Sequence, residues 1–273
     1  MDHLKDKVVV ITGAGSGFGR LVAHKSVVRG AQVLAVDVNP DALETLRNEL
    51  PGVHIAVADV TQLDELKAAV VQAVGLWGRV DVMINNAGVM PLAFYSDHDQ
   101  AMDAWTRCVD INFKGVLHGI VAVYDQMISQ ERGQIINLSS IYGNFPVVGA
   151  GVYGATKAAV DFLSSSLRME AQGKIKVTTV KPTGVPGTNL GAGIVNPDAI
   201  VGILGQNAPA YGQLMQAHQA GELPAEYTDS EHIEYYALDP EHLAEQIVYV
   251  MDQPWGVAIS EITVRASGDA YIL

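Results

Sequence analysis

Two side chains in the middle of the chain have types and spacing that suit acid–base chemistry on a hydroxyl group. Tyr153 and Lys157 stand four residues apart in the segment 151–172, whose apolar residues recur at helical spacing. Side chains at that spacing share one helix face, and an ammonium beside a phenol favours the phenolate and lowers the pKa of the phenol. Tyr153 could therefore exchange a proton near neutral pH. Alone, the pair also fits an exposed Tyr and Lys on an amphipathic helix.

A serine precedes this helix at the end of a predicted strand. The apolar run 134–138 leads into Ser139 and Ser140, and Ser140 stands thirteen residues before Tyr153. In an open α/β sheet the carboxyl ends of the strands carry the chemistry, so we expect the Ser140 hydroxyl close to the phenol.

The chain opens with a glycine-rich turn between a predicted buried strand, 7–11, and a helix that runs to about residue 29. The turn, 12–19, carries Gly13, Gly17 and Gly19. Glycines at such a turn let the backbone approach a pyrophosphate, and the amino end of the following helix favours the anion. By itself the turn also fits a purely structural role.

Together these features resemble the short-chain dehydrogenase/reductase family over nearly the whole chain. The motifs that carry the resemblance are the serine before Tyr153-x-x-x-Lys157, the spacing Gly13-x-x-x-Gly17-x-Gly19, and Asn85-Asn86-Ala87-Gly88. The resemblance implies that Tyr153 is the general base of alcohol oxidation and that Ser140 binds the substrate oxygen. It also implies that Lys157 lowers the pKa of the phenol and holds the nicotinamide ribose, and that the main chain at Asn112 supports a proton relay.

The second predicted strand, 32–36, ends on an acidic residue placed to select the cofactor. Asp37 stands about twenty residues after the glycines, where a carboxylate accepts hydrogen bonds from an adenosine ribose and repels a 2′-phosphate. Neither Ser16 in the turn nor Val38 is basic. We therefore predict NAD rather than NADP. The alternative is an ordinary aspartate that starts a turn before Asn39-Pro40.

The family resemblance extends the cofactor site to further positions. It places Asp59 and Val60 beside the adenine and the small residues of the Asn-Asn-Ala-Gly turn against the cofactor. After the sixth strand the chain departs from the family pattern, because Thr183 follows Pro182 where glycine is usual and Thr188 lies six residues beyond that proline. The residues predicted to contact NAD are Gly13, Ser16, Gly17, Phe18, Gly19, Asp37, Val38, Asp59, Val60, Asn86, Ala87, Gly88, Tyr153, Lys157, Pro182, Gly184, Val185 and Thr188.

Alternating strands and helices along 273 residues predict one doubly wound α/β domain, a Rossmann fold with a seven-stranded parallel sheet and helices on both faces. The segment 189–239 is apolar without one clear period and is broken by Gly and Pro, and it resembles the substrate lid of the family. The family also implies a homotetramer paired through two long helices, 98–131 and 151–172.

The composition argues against several other classes of protein. A formal net charge of −13 disfavours nucleic acid and anionic membranes as partners, and no apolar run has the length of a membrane span. The single cysteine, Cys108, excludes an internal disulfide and a multi-cysteine metal site, and we predict no metal. The first residues lead straight into a strand without a signal peptide, so we expect a cytoplasmic protein.

The residues expected around the nicotinamide predict a neutral substrate. They are largely apolar, and Arg265 is the only Lys or Arg after Lys181. Because a buried anion without a cation is costly, we predict NAD-dependent oxidation of a cyclic, terpenoid or steroid-like secondary alcohol. The predicted substrate contacts are Met90, Ser140, Tyr142 and Tyr153. A 3-oxoacyl-thioester reductase and a non-catalytic NAD-binding sensor are the alternatives.

Overall fold

A computed structural model describes residues 3–272, and its central feature is a seven-stranded sheet in which every neighbouring pair of strands is parallel. The strands lie in the order β3-β2-β1-β4-β5-β6-β7. They are β1 Val8–Thr12, β2 Gln32–Asp37, β3 Val53–Val57, β4 Val82–Asn85, β5 Gly133–Leu138, β6 Ile175–Pro182 and β7 Glu261–Val264. The predicted doubly wound fold is confirmed.

Helices connect consecutive strands and cover both faces of the sheet. They are α1 Gly17–Val28, α2 Pro40–Glu49, α3 Leu63–Trp77, α4 His98–Cys108, α5 Gly115–Ser129, α6 Gly151–Glu170, α7 Val201–Leu204, α8 Ala208–Ala220, α9 Ala225–Thr228 and α10 Pro240–Met251. Two separate apolar clusters result, one on each face. Leu43 and Leu243 belong to the first, whereas Val70 and Val123 belong to the second.

The apolar runs of the sequence become strands because both of their faces are covered. All five residues of β1 are buried, and residues of this one strand enter both apolar clusters. A strand covered on both faces carries a continuous apolar run instead of alternating residues. The outermost strand is different: in β7, exposed and half-buried residues alternate, and the predicted strand 258–264 begins only at Glu261.

Strand order reverses direction on the two sides of β1, which pairs with β2 on one side and with β4 on the other. The turns after β1 and β4 therefore lie next to each other. Asn86 ties them together, because its side-chain amide donates to the carbonyl oxygens of Thr12 at 2.9 Å and Gly13 at 3.1 Å. Ligands of open α/β sheets bind at such a reversal point.

The predicted long helix has a more broken backbone than the sequence indicated. The predicted helix 98–131 consists of α4, a π-helical segment Val109–Lys114, and α5. The lid, 189–239, consists of short 3₁₀ turns and the helices α7 to α9, and α8 carries no fully buried residue. The predicted helix 151–172 is continuous and ends at Glu170.

Candidate active site

A cavity of about 690 Å³ lies over the carboxyl ends of the central strands. That volume is in the range of small-molecule and cofactor sites, about 300–1,000 Å³. Most residues predicted to contact NAD line it, namely Gly13, Ser16, Gly17, Phe18, Asp37, Val38, Asp59, Val60, Asn86, Ala87, Gly88, Tyr153, Lys157, Pro182 and Thr188.

Gly19 does not line the cavity, in contrast to the prediction. A Cβ atom at this position would lie 2.3 Å from the Gly13 carbonyl oxygen and 2.6 Å from the Asn86 side chain. The missing side chain thus allows α1 to pack against the glycine-rich turn. Gly13 contributes differently, because it has a φ of +66° and lies directly against the backbone of Ala87. Its role is to make the turn possible.

Asp37 ends β2 at the edge of the cavity, and its carboxylate organises the surrounding turns. One oxygen accepts the Gly15 N–H at 2.9 Å, and the other accepts the Asn39 N–H at 3.0 Å. Sequence reasoning missed a cation close by. The Arg20 guanidinium donates to the Gly15 carbonyl oxygen at 3.4 Å and forms an ion pair with Glu49. Arg20 on α1 and Glu49 on α2 come together only in the tertiary structure.

Several other residues that line the cavity were not among the predicted NAD contacts. These residues include Thr61 after β3, Thr106, Arg107, Asp110 and Ile111 from α4 and the π-helical segment, and Asn189, Leu190 and Gly193 from the first turn of the lid. Periodicity could identify a helix over 98–131. It could not show which face of that helix the cavity would occupy, since this depends on how the helix packs on the sheet.

The buried phenol of Tyr153 is the centre of the predicted catalytic set. Tyr153 and Lys157 are 3% and 5% exposed, so the alternative of an exposed pair does not hold. The Lys157 ammonium donates to the Leu138 carbonyl oxygen at 2.8 Å and lies 5.7 Å from the centre of the Tyr153 ring. The loop after β5 brings Ser140 to the same place, where its buried hydroxyl accepts the Tyr142 N–H at 3.3 Å and lowers the pKa of the Tyr153 phenol.

The pKa shifts differ from what the helical spacing predicts. Burial raises the pKa of the Tyr153 phenol, and the hydrogen-bonding interaction with Ser140 lowers it in part. Burial also lowers the pKa of Lys157 to about 8. Removal of the phenol from water therefore outweighs the neighbouring ammonium in this structure, since desolvation disfavours the charged form of either group. Ser140 is the group that lowers the pKa of the phenol and so opposes the effect of burial.

Asn112 lies in the π-helical segment and is fully buried. Its side chain pairs with both main-chain groups of Val89, donating to the carbonyl oxygen and accepting from the N–H at 2.9 Å each. It also donates to the Thr156 hydroxyl on α6 at 3.3 Å. Asn112 thereby fixes the loop after β4 against the helix that carries Tyr153. Short π-helical segments occur often at functional sites.

Two predicted substrate contacts, Met90 and Tyr142, lie outside the cavity and pack around Tyr153 in a separate apolar cluster. The rings of Tyr142 and Tyr153 meet edge to face, with centroids 5.4 Å apart and planes at 74°. Ser140 also lies outside the cavity lining and is buried beside the phenol. Met90, Tyr142 and Ser140 therefore surround Tyr153 and lie outside the cavity that most of the predicted NAD contacts line.

The loop after β6 contributes fewer cofactor-side residues than predicted. Thr188 does line the cavity, and its Cβ atom would lie 3.8 Å from a Cβ atom added to Gly17. Gly184 and Val185 do not: Val185 packs against the apolar cluster that contains Leu243, and the Gly184 backbone lies against the side chain of Tyr271. The loop begins with Pro–Thr instead of the Pro–Gly usual in the family, and its residues Gly184 and Val185 lie away from the cavity lining.

In the part of the chain that the structure describes, no group of three or more His, Cys, Asp or Glu side chains is arranged to bind a metal ion. Within residues 3–272, no helix combines the length and the apolar character needed to cross a membrane.

A doubly wound parallel sheet with a glycine-rich turn, an acidic residue ending β2 and a cavity at the strand reversal is the architecture of a dinucleotide-binding enzyme. Comparison with known proteins identifies the family. The sequence profile described as short chain dehydrogenase matches residues 7–198, and the chain belongs to this family. It is therefore an oxidoreductase of a family whose fold binds a nicotinamide cofactor.

Curated relatives match the chain over nearly its full length. An uncharacterized oxidoreductase of Staphylococcus saprophyticus is 32% identical and covers 99% of this chain and 100% of its own length. An uncharacterized oxidoreductase of Staphylococcus aureus strain MW2 is 31% identical and covers 97% of this chain and 99% of its own.

Solved structures show the same fold. Serine dehydrogenase in its closed form, complexed with NADP+, has a TM-score of 0.76 and 27% identity over 94% of both chains. Serine dehydrogenase from Escherichia coli has a TM-score of 0.72 and 26% identity, covering 94% of this chain and 96% of its own. An alcohol dehydrogenase from Thermococcus sibiricus, complexed with 5-hydroxy-NADP, has a TM-score of 0.76 at 20% identity, covering 97% and 98% of the two chains, and supports the fold alone.

Proposed function

We propose that the protein is an NAD-dependent alcohol dehydrogenase that interconverts a neutral, hydrophobic secondary alcohol and its ketone. The observation that carries the reaction type is the meeting of Ser140 and Lys157 at the buried phenol of Tyr153. A phenol held in this way is suited to take the proton of an alcohol.

The residues of the cavity fit a dinucleotide. The glycine-rich turn and the amino end of α1 would hold the pyrophosphate, Asp37 would accept hydrogen bonds from the adenosine ribose, and Lys157 would hold the nicotinamide ribose. Bound NAD supplies a hydride acceptor. The preference for NAD over NADP rests on the Asp37 carboxylate and on the ion pair of Arg20 with Glu49. That ion pair leaves the Arg20 guanidinium already matched to an acidic side chain.

Tyr153, Ser140 and Asn112 have different roles in the proposed oxidation. The alcohol loses its hydroxyl proton to the Tyr153 phenolate and its carbon-bound hydrogen as a hydride, and a ketone results. Ser140 donates a hydrogen bond to the substrate oxygen and keeps it within reach of the phenol. Asn112 holds the loop after β4 through both main-chain groups of Val89, which keeps the opposite wall of the site in place.

The charge distribution supports a neutral substrate. The lid, 189–239, contains no lysine or arginine, and Arg107 lines the cavity together with the acidic residues Asp103 and Asp110. Lys181, at the carboxyl end of β6, already forms ion pairs with Asp161 at 3.2 Å and Glu261 at 2.9 Å. A carboxylate substrate would need a cation to replace its water, because an unpaired buried anion is costly. The likeness to serine dehydrogenase makes a small hydroxy acid the competing substrate class.

Turnover of a substrate panel by the wild type and by Tyr153→Phe tests the reaction type and the substrate class together. NAD reduction would be followed with cyclic and terpenoid alcohols, hydroxysteroids, sugars, serine and 3-hydroxyacyl thioesters. We expect a cyclic or polycyclic alcohol to be the best substrate. In Tyr153→Phe, which keeps the ring and removes the ionisable group, we expect turnover to fall by about a hundredfold or more while the Kd for NAD stays the same.

Tyr249→Phe is the matched control, because Tyr249 is half exposed on α10 and does not line the cavity. It should behave as the wild type. Near-normal turnover in Tyr153→Phe would overturn the mechanism. Best turnover of serine, sugars or acyl thioesters would overturn the substrate class and leave the mechanism standing. Tight NAD binding with no turnover of any substrate would instead favour a cofactor sensor.

We also propose a homotetramer that pairs through the α4–α5 and α6 helices. Large apolar side chains on these helices are exposed, among them Met102 at 61%, Phe162 at 78% and Met169 at 73%. Exposed apolar residues of this kind commonly mark association surfaces. Light scattering that showed a monomer at assay concentration would contradict the proposal.

A further inference from the structure

The last residues of the chain return to the active-site region after β7. Asp269, whose side chain is almost fully buried, pairs with Arg265 and accepts a hydrogen bond from the Thr183 hydroxyl at 3.2 Å. Beyond it, the Ala270 carbonyl oxygen accepts from the Asn207 side chain at 2.9 Å, and the Ile272 N–H donates to the Ile203 carbonyl oxygen at 3.2 Å. The terminal segment, 265–272, thus joins the loop after β6 to the lid.

This path places the Tyr271 side chain against the loop after β6. A Cβ atom added to Gly184 would lie 1.6 Å from the Tyr271 hydroxyl oxygen, so the hydroxyl occupies the space that any larger residue at position 184 would fill. The neighbouring loop residues Pro182 and Thr188 line the cofactor cavity. The hydroxyl of Tyr271 therefore lies against the loop that carries these two cavity residues.

Two pairs of tyrosine rings lie between Tyr271 and the Tyr153 phenol. The ring of Tyr142 meets that of Tyr153 at 5.4 Å, and the ring of Tyr211 in the lid lies 6.3 Å from that of Tyr271. Tyr142, Tyr211 and Tyr271 also share one apolar cluster with Ile141, which follows Ser140. Residues from the serine loop, the lid and the chain end thereby form one continuous surface beside Tyr153.

The chemistry of this surface is uncharged and rich in hydroxyl groups. Burial raises the pKa values of Tyr142 and Tyr271, and a hydrogen-bonding interaction with Tyr211 raises that of Tyr271 further, so both phenols stay protonated. Their rings offer apolar faces to a hydrocarbon skeleton. Their hydroxyl groups can donate hydrogen bonds to an oxygen of the substrate without carrying a charge.

We propose that Tyr271 is a specificity-determining residue of the substrate site and that, with Tyr211, it recognises a second uncharged oxygen on the alcohol substrate. The inference rests on the proposed function and narrows it. The preferred substrate is then a ring alcohol that carries a further hydroxyl, carbonyl or ether oxygen away from the reacting carbon. A hydrocarbon alcohol of the same size would fit the ring faces and leave the hydroxyl of Tyr271 without a partner from the substrate.

Steady-state kinetics of Tyr271→Phe with matched substrates tests the inference. Cyclohexanol would be compared with the 1,2-, 1,3- and 1,4-cyclohexanediols. We expect at least one diol to have a KM about five- to tenfold below that of cyclohexanol in the wild type. Tyr271→Phe should remove that advantage and leave both kcat and the KM for cyclohexanol within about twofold, since one neutral hydrogen bond is lost and the ring is kept.

Three further measurements keep the result interpretable. Tyr249→Phe, on the exposed face of α10, should leave every KM unchanged. The Kd for NAD and the melting temperature should be the same in Tyr271→Phe as in the wild type, which would separate a lost substrate contact from a loosened terminal segment. A diol advantage that persists in Tyr271→Phe, or no diol advantage in the wild type, would overturn the inference.

Failure of the proposed function would be recognisable in the same experiment. If the wild type turned over another class of substrate in place of cyclic alcohols, Tyr271→Phe would be measured on that substrate. A raised KM there would support Tyr271 as a substrate contact while the proposed substrate class failed. An unchanged KM would overturn the role of Tyr271 as well.

Discussion

Burial raises the pKa of the Tyr153 phenol, and Ser140→Ala removes the interaction that lowers this pKa. In the proposed alcohol oxidation Tyr153 would work as the phenolate, so activity should rise as the pH rises through the pKa of the phenol. Burial raises this pKa and Ser140 lowers it. Ser140→Ala should therefore raise the pKa, and the rising part of the pH profile should move to higher pH.

The size of the shift follows from the strength of the lost interaction. A hydrogen bond to a charged group contributes about 1.5–3 kcal/mol, and one pKa unit corresponds to about 1.4 kcal/mol. The pH profile of Ser140→Ala should thus lie roughly one to two pH units higher. At a fixed pH on the rising part, kcat/KM should fall by about ten- to a hundredfold.

The assay is the pH dependence of kcat/KM for alcohol oxidation at saturating NAD. Ser139→Ala is the matched control, because the neighbouring Ser139 hydroxyl donates to the Lys157 carbonyl oxygen at 3.1 Å instead of acting on the phenol. Its profile should coincide with that of the wild type. Lys157 has a pKa lowered to about 8 by burial, and Ser140 is not among the groups that shift it. A profile that stayed near pH 8 in Ser140→Ala would belong to Lys157 and refute the assignment of Tyr153.

Two other predictions concern cofactor choice and packing. Asp37→Asn removes the charge that would face a 2′-phosphate, so the ratio of the Kd values for NADP and NAD should fall by about tenfold or more, as measured by fluorescence titration. Asp41→Asn, in the first turn of α2, should leave the ratio unchanged, and an unchanged ratio in Asp37→Asn would contradict the NAD assignment. Gly119→Ala would place a Cβ atom 1.9 Å from the buried Asn85 side-chain oxygen and should destabilise the fold by about 1–3 kcal/mol in denaturant unfolding. Gly75→Ala, with no atom within 4 Å of the added Cβ, should stabilise α3 by up to about 1 kcal/mol, and equal effects of the two changes would contradict the packing described.

Local pattern was enough to predict the order of the elements and the main motifs. Apolar runs bounded by glycine predicted the strands of the core, because a strand covered on both faces must be apolar throughout. The four-residue spacing of Tyr153 and Lys157 placed both on one helix face, since helical periodicity depends only on neighbours in the chain. The end of β2 at Asp37 also followed from local pattern.

Boundaries were less accurate where long-range packing decided them. The helix predicted over 98–131 contains the π-helical segment around Asn112, whose side chain pairs with Val89 from another loop. The periodicity of the sequence cannot predict this hydrogen bonding between Asn112 and Val89, because it reports only on neighbours in the chain. The first residues of the predicted β7 stay outside the sheet, because an edge strand is held by a single neighbour, β6.

Only the tertiary structure decided the environment of the site. Whether Tyr153 is exposed or buried cannot be read from its spacing to Lys157, yet burial is what raises the pKa of the phenol. The pairing of Arg20 with Glu49 and the contact of Tyr271 with Gly184 join residues 29 and 87 positions apart in the chain. Burial of a side chain and its long-range contacts depend on which elements pack together in the folded protein. Residue type and spacing determine only the local structure and the chemical groups of each short segment.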